Sequence, residues 1–243
     1  MTRPGNRMAS KATRILIVDD HPVTREGLAQ LIRHEADLMV CGGAESAAEA
    51  LEKTRSTRPD LVLVDITLPG RSGLELIKDL QSLRPNLPAL VISMHDELLF
   101  AERALRAGAR GYIMKHEGGS KVIHAIRVVL GGEIYVSDGV SRRVLAGLSA
   151  AGHRALHSPI EQLSDREFEV FQLLGEGLPT RQIGRRLNLS SKTVETHRMN
   201  IKVKLGFNSS CELIAHAARW IESETNGANP GTRKRGTTSL ENS

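Results

Sequence analysis

Asp19 and Asp20 close the apolar run Ile15-Leu16-Ile17-Val18, and Asp65 closes Leu61-Val62-Leu63-Val64. Ser93 ends Leu90-Val91-Ile92, and Lys115 follows Tyr112-Ile113-Met114. Three carboxylates, a hydroxyl and an ammonium brought to one place would bind a hard cation and a phosphoryl group. Close carboxylates repel, so a divalent cation is needed to hold them ionised together, and an all-oxygen ligand set with a phosphate selects Mg²⁺. One carboxylate oxygen must stay free of the metal to attack a phosphoryl donor in line. Asp65 is the candidate because it stands alone, whereas Asp19 and Asp20 stand as a pair. Lys115 would neutralise one equatorial phosphate oxygen and the Ser93 hydroxyl would donate to another.

What must position these residues is a parallel sheet. Short apolar, β-branched runs alternating with amphipathic stretches read as strands buried on both faces. The pattern predicts strands near 14–19, 38–42, 60–65, 88–93 and 110–114, with helices near 22–34, 46–57, 73–83, 97–107 and 120–130. Pro22 suits the first turn of its helix, where the missing N–H costs nothing. Gly108, Gly131 and Gly132 lie just past helical runs, as left-handed caps would. Right-handed crossovers place helices on both faces and bring every strand C-terminus, and so all five polar residues, to one edge. The expected fold is α/β, a doubly wound five-stranded parallel sheet, followed by a small all-α domain of four helices.

The stretches Ile15-Leu16-Ile17-Val18-Asp19-Asp20-His21-Pro22, Asp65-Ile66-Thr67-Leu68-Pro69-Gly70-Arg71-Ser72-Gly73 and Gly111-Tyr112-Ile113-Met114-Lys115 together resemble a two-component receiver domain of flavodoxin-like fold, over about residues 14–131. The resemblance implies that Asp65 accepts the phosphoryl group and that Asp20, Asp65 and the backbone carbonyl of Thr67 ligate Mg²⁺. It implies that Asp19 acts through a bound water, and that Ser93 and Tyr112 form a switch pair in which the ring turns inward behind the moving hydroxyl. One departure is His116, where many receivers carry proline.

Composition sets the remaining bounds. The 243 residues leave room for two domains, and the two cysteines, Cys41 and Cys211, show no metal-ligand spacing. That usage points to a reducing cytoplasm. No apolar run reaches the roughly 20 residues that span a bilayer, and Met1–Lys11 lacks the apolar core of a signal peptide. The expected organisation is a tail over 1–12, a receiver over 13–133, a helix and linker over 134–160, a helix-turn-helix domain over 161–223 and a tail over 224–243. His95, His116, His153 and His157 have no ligand geometry in their spacing and read as surface residues.

The second half carries no strand pattern. Ser164 opens a helix with Glu167 three residues on, a capping box, and Phe168, Val170, Phe171 and Leu174 form its apolar face. Thr180 is expected to cap a second helix, and Ser190 a third that runs to about Lys204. Two helices joined by a short turn, the second longer and basic, describe a helix-turn-helix. At 100° per residue, Val194, Arg198, Ile201 and Leu205 share one face, while Lys192, Glu195, Thr196, Met199 and Val203 share the other, with Asn200 at its margin. Between Pro179 and Gly206 seven basic residues stand against Glu195 alone, a net +6, where the whole chain is +5. Charge so localised is what a phosphate backbone requires.

Leu163-Ser164-x-Arg166-Glu167, followed by Thr193-Val194-Glu195-Thr196-His197-x-x-Asn200-Ile201-x-x-Lys204-Leu205, resembles the LuxR-type DNA-binding domain, and the pair of resemblances is that of NarL/FixJ response regulators. It implies that Glu195, Thr196 and Met199 reach bases. Arg181, Lys192, Thr193, Asn200, Lys202 and Lys204 complete the expected DNA-binding set, the basic members holding phosphates and setting register. The expected function is phosphorylation-controlled, sequence-specific transcription regulation, with a histidine kinase as donor, a homodimer as the active form, an inverted repeat as operator, and RNA polymerase as a further candidate contact. The alternative is a transcription factor controlled by partner or ligand binding without phosphorylation. An aspartyl-phosphate hydrolase is disfavoured because the position two residues after Asp65 is Thr67, not a second aspartate.

Overall fold

The computed structural model describes residues 12–142 and 159–226. Most of the expected tails and of the linker, with His153 and His157, lie outside the described residues, and the last helix runs to Asn226, three residues past the expected domain end. Five strands, β1 (Thr13–Val18), β2 (Leu38–Ala44), β3 (Leu61–Val64), β4 (Ala89–Ser93) and β5 (Gly111–Met114), alternate with α1 (Pro22–Arg33), α2 (Ala47–Thr57), α3 (Gly73–Leu83), α4 (Glu97–Ala107) and α5 (Gly119–Leu130). All pairings are parallel, in the order β2-β1-β3-β4-β5. Most observed boundaries lie within a residue or two of those read from periodicity.

Alternation along the strands divides the core into two layers. Ile15, Ile17, Leu61, Leu63, Leu90, Ile92 and Ile113 pack against α1 and α5. Leu16, Val18, Val62, Val64, Val91 and Tyr112 pack against α2, α3 and α4. The helix caps follow the sequence except in two places. Gly108 is left-handed at φ 103, but Gly131 is right-handed and the left-handed turn falls on Gly132 at φ 87. The left-handed turn is thus taken one residue later than expected.

The second body contains α6 (Asp165–Gly175), α7 (Thr180–Arg186), α8 (Ser191–Leu205) and α9 (Ser210–Asn226), preceded by a 3₁₀ turn at Pro159–Gln162. The Ser164–Glu167 capping box is formed in both directions. Thr180, expected as a cap, is the first helical residue behind Pro179, and its hydroxyl is used elsewhere. The layer of core beneath α4 runs on without a break into Ile160, Leu163, Phe168 and Phe171. Phe100 of α4 meets Phe168 of α6 edge-on with ring centroids 5.0 Å apart, and the Arg103 guanidinium lies 4.0 Å over the Phe168 ring.

Candidate functional site

Parallel strands deliver Asp19, Asp65, Ser93 and Lys115 to one edge because each lies at the end of its strand or just past it. Asp19, Asp65 and Ser93 are all buried there. Lys115 Nζ stands 2.7 Å from Asp65 Oδ2 and 2.7 Å from Asp19 Oδ2. Ligand atoms of Asp19, Asp20, His21 and Asp65 lie within 4.8 Å of one another. His21 is a member of the cluster that sequence reasoning left out; its Nδ1 sits 2.7 Å from Asp20 Oδ1. That buried Oδ1 nevertheless accepts no well-directed hydrogen bond, which fits an oxygen that a cation could take. The fold holds Asp65 close to the loop behind it: a Cβ on Gly73 would lie 1.9 Å from the Asp65 carbonyl oxygen, so only glycine fits.

Electrostatics agree with a site that favours positive charge. Burial pushes the Asp65 carboxyl up, to about 6, with Asp19 adding to the rise and Lys115 and the Thr67 N–H opposing it. Burial works against charge on Lys115 as well, but the Asp65 and Asp19 carboxylates outweigh it and hold the ammonium above its ordinary pKa. Tyr112 is already fully inside the core, its hydroxyl donating to the His95 carbonyl at 2.9 Å. The inward turn implied for this ring therefore has no outward starting point here.

His95, read from sequence as a surface residue, is 4 % exposed. It follows Ser93 by two positions, so the turn off β4 carries it under the adjoining domain. Its N–H donates to Ser93 Oγ at 3.2 Å. Its ring lies against Phe100, with Nε2 3.0 Å from Thr67 Oγ1 and Nδ1 3.1 Å from Gln172 Oε1 of α6. Burial pulls the imidazole down to about 4, with Arg186 the next cause, so the ring is neutral. Gln172 and Asn188 were also missed. A glutamine on the buried stripe of α6, one turn after Phe168 and next to Phe171, was the available signal, since a buried polar group needs a partner.

The two bodies meet along this edge. Asn188 Nδ2, in the turn between α7 and α8, donates to Asp20 Oδ2 at 2.7 Å. Arg166 is buried and donates through Nη2 to Leu68 O at 2.9 Å and to Leu187 O at 3.0 Å. Asp165 receives Lys78 at 2.7 Å and Arg103 at 3.4 Å. Beside these contacts a cleft of about 410 Å³ is lined by Leu98, Arg103, Ile160, Phe168 and Trp220 among others.

On α8 the inward face holds Val194 and Ile201, both fully buried. The outward face carries Lys192, Thr193, Glu195, Thr196, Met199, Asn200 and Val203, all exposed, with Met199 at 66 % and Val203 at 76 %. Arg181 of α7 is exposed as well, and Lys202 is half-buried. Glu195 Oε1 accepts from Thr180 Oγ1 at 2.6 Å and from Arg198 Nη1 at 3.0 Å, so its carboxylate is held in place. Lys204, expected on the phosphate backbone, instead donates to Glu167 at 2.6 Å and closes the capping box from behind. The geometry offers an acidic phosphoryl-type pocket and an open, basic, hydrogen-bonding helix face, joined by one interface.

Comparison with known proteins agrees. The family model described as "Response regulator receiver domain" matches residues 15–127, and "Bacterial regulatory proteins, luxR family" matches residues 161–217. The chain is 38% identical over 200 residues to the transcriptional activator protein ExaE of Pseudomonas putida, covering 82% of this chain and 93% of that protein. It is 33% identical over 212 residues to the nitrate/nitrite response regulator protein NarL of Escherichia coli, covering 86% and 95%. A two-component response regulator of the LuxR family from Aurantimonas sp. SI85-9A1 superposes with a TM-score of 0.53 at 33% identity, over 57% of this chain and 99% of that one. RcsB of Salmonella enterica serovar Typhimurium, solved on a promoter with a phosphomimetic, shares the fold with a TM-score of 0.56 at 24% identity, over 86% and 99%.

Proposed function

The chain belongs to the response regulators that join a receiver domain to a LuxR-type DNA-binding domain, and from that premise we propose that phosphorylation of Asp65 sets the population of a DNA-binding dimer. The observation that carries this reading is Lys115 Nζ at 2.7 Å from both Asp65 and Asp19. An ammonium so placed marks where the third charge of an incoming phosphoryl group would lie. A side-chain oxygen of Asp65 attacks the phosphorus of a phosphohistidine on a histidine kinase; the new O–P bond forms as the P–N bond breaks, and the imidazole leaves with the electron pair and takes up a proton.

Asp20, Asp65 and the Thr67 carbonyl would hold Mg²⁺, with Asp19 acting through water, and the cation would supply charge neutralisation between acceptor and donor oxygens. Among the described residues the three carboxylates of the cluster, with the unsatisfied Asp20 Oδ1, fit a hard cation, and His21 stands beside them. Lys115 and the Ser93 hydroxyl then close on the phosphoryl oxygens. The outward face of α8 enters the major groove, where Glu195, Thr196 and Met199 meet base edges while Arg181 and Lys192 hold phosphates. A dimer places two such helices about one DNA turn apart on an inverted repeat.

The test is selection from a random duplex pool, with and without acetyl phosphate and Mg²⁺, at two salt concentrations. Enrichment of an inverted repeat, tighter with phosphate and weaker in high salt, is the expected outcome. Enrichment indifferent to phosphate would move control to a partner or a small ligand.

A further inference from the structure

Four groups from different parts of the chain converge on His95. Its backbone is gripped by the two residues read as the switch: the N–H reaches Ser93 Oγ and the carbonyl receives Tyr112. Its ring is gripped by Thr67 on the acceptor loop and by Gln172 of the DNA-binding domain. Thr67 in turn gives its backbone N–H to the Asp65 carboxylate.

The direction of these bonds can be read outward. Gln172 Nε2 donates to Glu176 Oε1 at 2.8 Å, which fixes the amide so that Oε1 faces His95. An oxygen there accepts only, so Nδ1 carries the imidazole proton, Nε2 is the lone pair, and the Thr67 hydroxyl donates to it. Every link in Thr67 to His95 to Gln172 to Glu176 thus donates in the same sense, an arrangement in which each bond polarises the next. Glu176 finally pairs with Arg186 of α7, inside the basic helix-turn-helix segment, at 3.6 Å.

We propose that His95 is a positioning residue that couples the acceptor loop at Thr67 to the DNA-binding domain at Gln172, so that docking of that domain tunes phosphoryl acceptance at Asp65. The coupling rests on the reading of Asp65 as acceptor, and it runs both ways. A Ser93 hydroxyl drawn to a phosphoryl oxygen leaves the His95 N–H, which loosens the loop that presents the ring to Gln172. By reciprocity, a domain that cannot hold the ring makes the phosphorylated arrangement easier to reach.

The experiment is titration of the full-length chain with beryllofluoride and Mg²⁺, read by the fluorescence of Trp220, the single tryptophan, which lines the cleft between the domains. Gln172→Met keeps length and apolar packing while removing both hydrogen bonds. It is expected to bind beryllofluoride about 3- to 10-fold more tightly, the range of one net hydrogen bond. Thr67→Val breaks the chain at its other end, and the Thr67→Val/Gln172→Met double variant is expected to gain no more than either single change. Wild-type affinity in Gln172→Met, or strict additivity in the double variant, overturns the coupling and leaves His95 as a core residue. A wild-type chain that binds no beryllofluoride at all overturns the acceptor assignment itself, and the coupling with it. Thermal melting of each variant separates these results from loss of fold.

Discussion

Asn188 donates to Asp20 across 168 positions of sequence, at 2.7 Å, and ties the turn of the helix-turn-helix to a carboxylate read as a metal ligand. Asn188 holds a left-handed backbone at φ 52, which asparagine tolerates at little cost. The amide draws electron density from the same carboxylate that a cation would use. Asn188→Gly keeps the backbone conformation and removes the tether. It is expected to raise Mg²⁺ affinity about 2- to 5-fold, measured by calorimetry, and to loosen the domain contact seen in small-angle scattering.

Asp65→Asn tests the acceptor in two ways. It is expected to abolish any phosphate-dependent gain in operator binding while leaving the basal binding. It also stabilises the cation-free fold, because burial raises the Asp65 pKa from 3.8 to about 6. The folded chain holds a proton that the unfolded chain releases, so this carboxyl lowers stability progressively as pH rises from about 4 to 6, and by a constant amount above. Asn substitution should therefore add about 3 kcal/mol at pH 7.5 and little at pH 4 in denaturant titrations.

The same shift governs metal binding. A cation needs the carboxylate, so Mg²⁺ affinity is expected to hold above about pH 6.5 and to fall as pH drops through about 6. Calorimetry at pH 5.5 and 7.5, with proton release in the acid arm, measures it. Equal affinity at both values would remove Asp65 from the ligand set.

Gly73→Ala places a methyl group 1.9 Å from the Asp65 carbonyl oxygen, a contact that only backbone movement relieves. The expected cost is about 3 kcal/mol of stability, with acetyl phosphate acceptance reduced because the acceptor strand end is displaced.

Glu195 is held by Thr180 and Arg198 before any DNA arrives. A fixed carboxylate accepts from the cytosine amino group. Glu195→Ala is expected to relax selection at one base pair of each half-site, a change of about 1–3 kcal/mol in discrimination, with little effect on salt dependence. Lys192→Ala should do the reverse, weakening binding on all sequences and lowering the salt slope.

The elements and the acidic edge were legible from residue order alone. Strand and helix periodicities are local, so Val18, Val64 and Ile92 announce their own strands, and parallel topology then leaves Asp19, Asp65 and Ser93 only one place to meet. The faces of α8 followed for the same reason: Val194 and Ile201 repeat at helical spacing, and exposure of Met199 on the opposite side is a consequence of geometry. Tertiary structure decided what lies across the junction. Whether His95 faces water or Gln172, 77 positions away, depends on how two finished domains dock, and no periodicity encodes that. The diversion of Lys204 to Glu167 is of the same kind. A flexible cation reaches whichever carboxylate the packing of α6 against α8 brings near, and only the folded chain sets that distance.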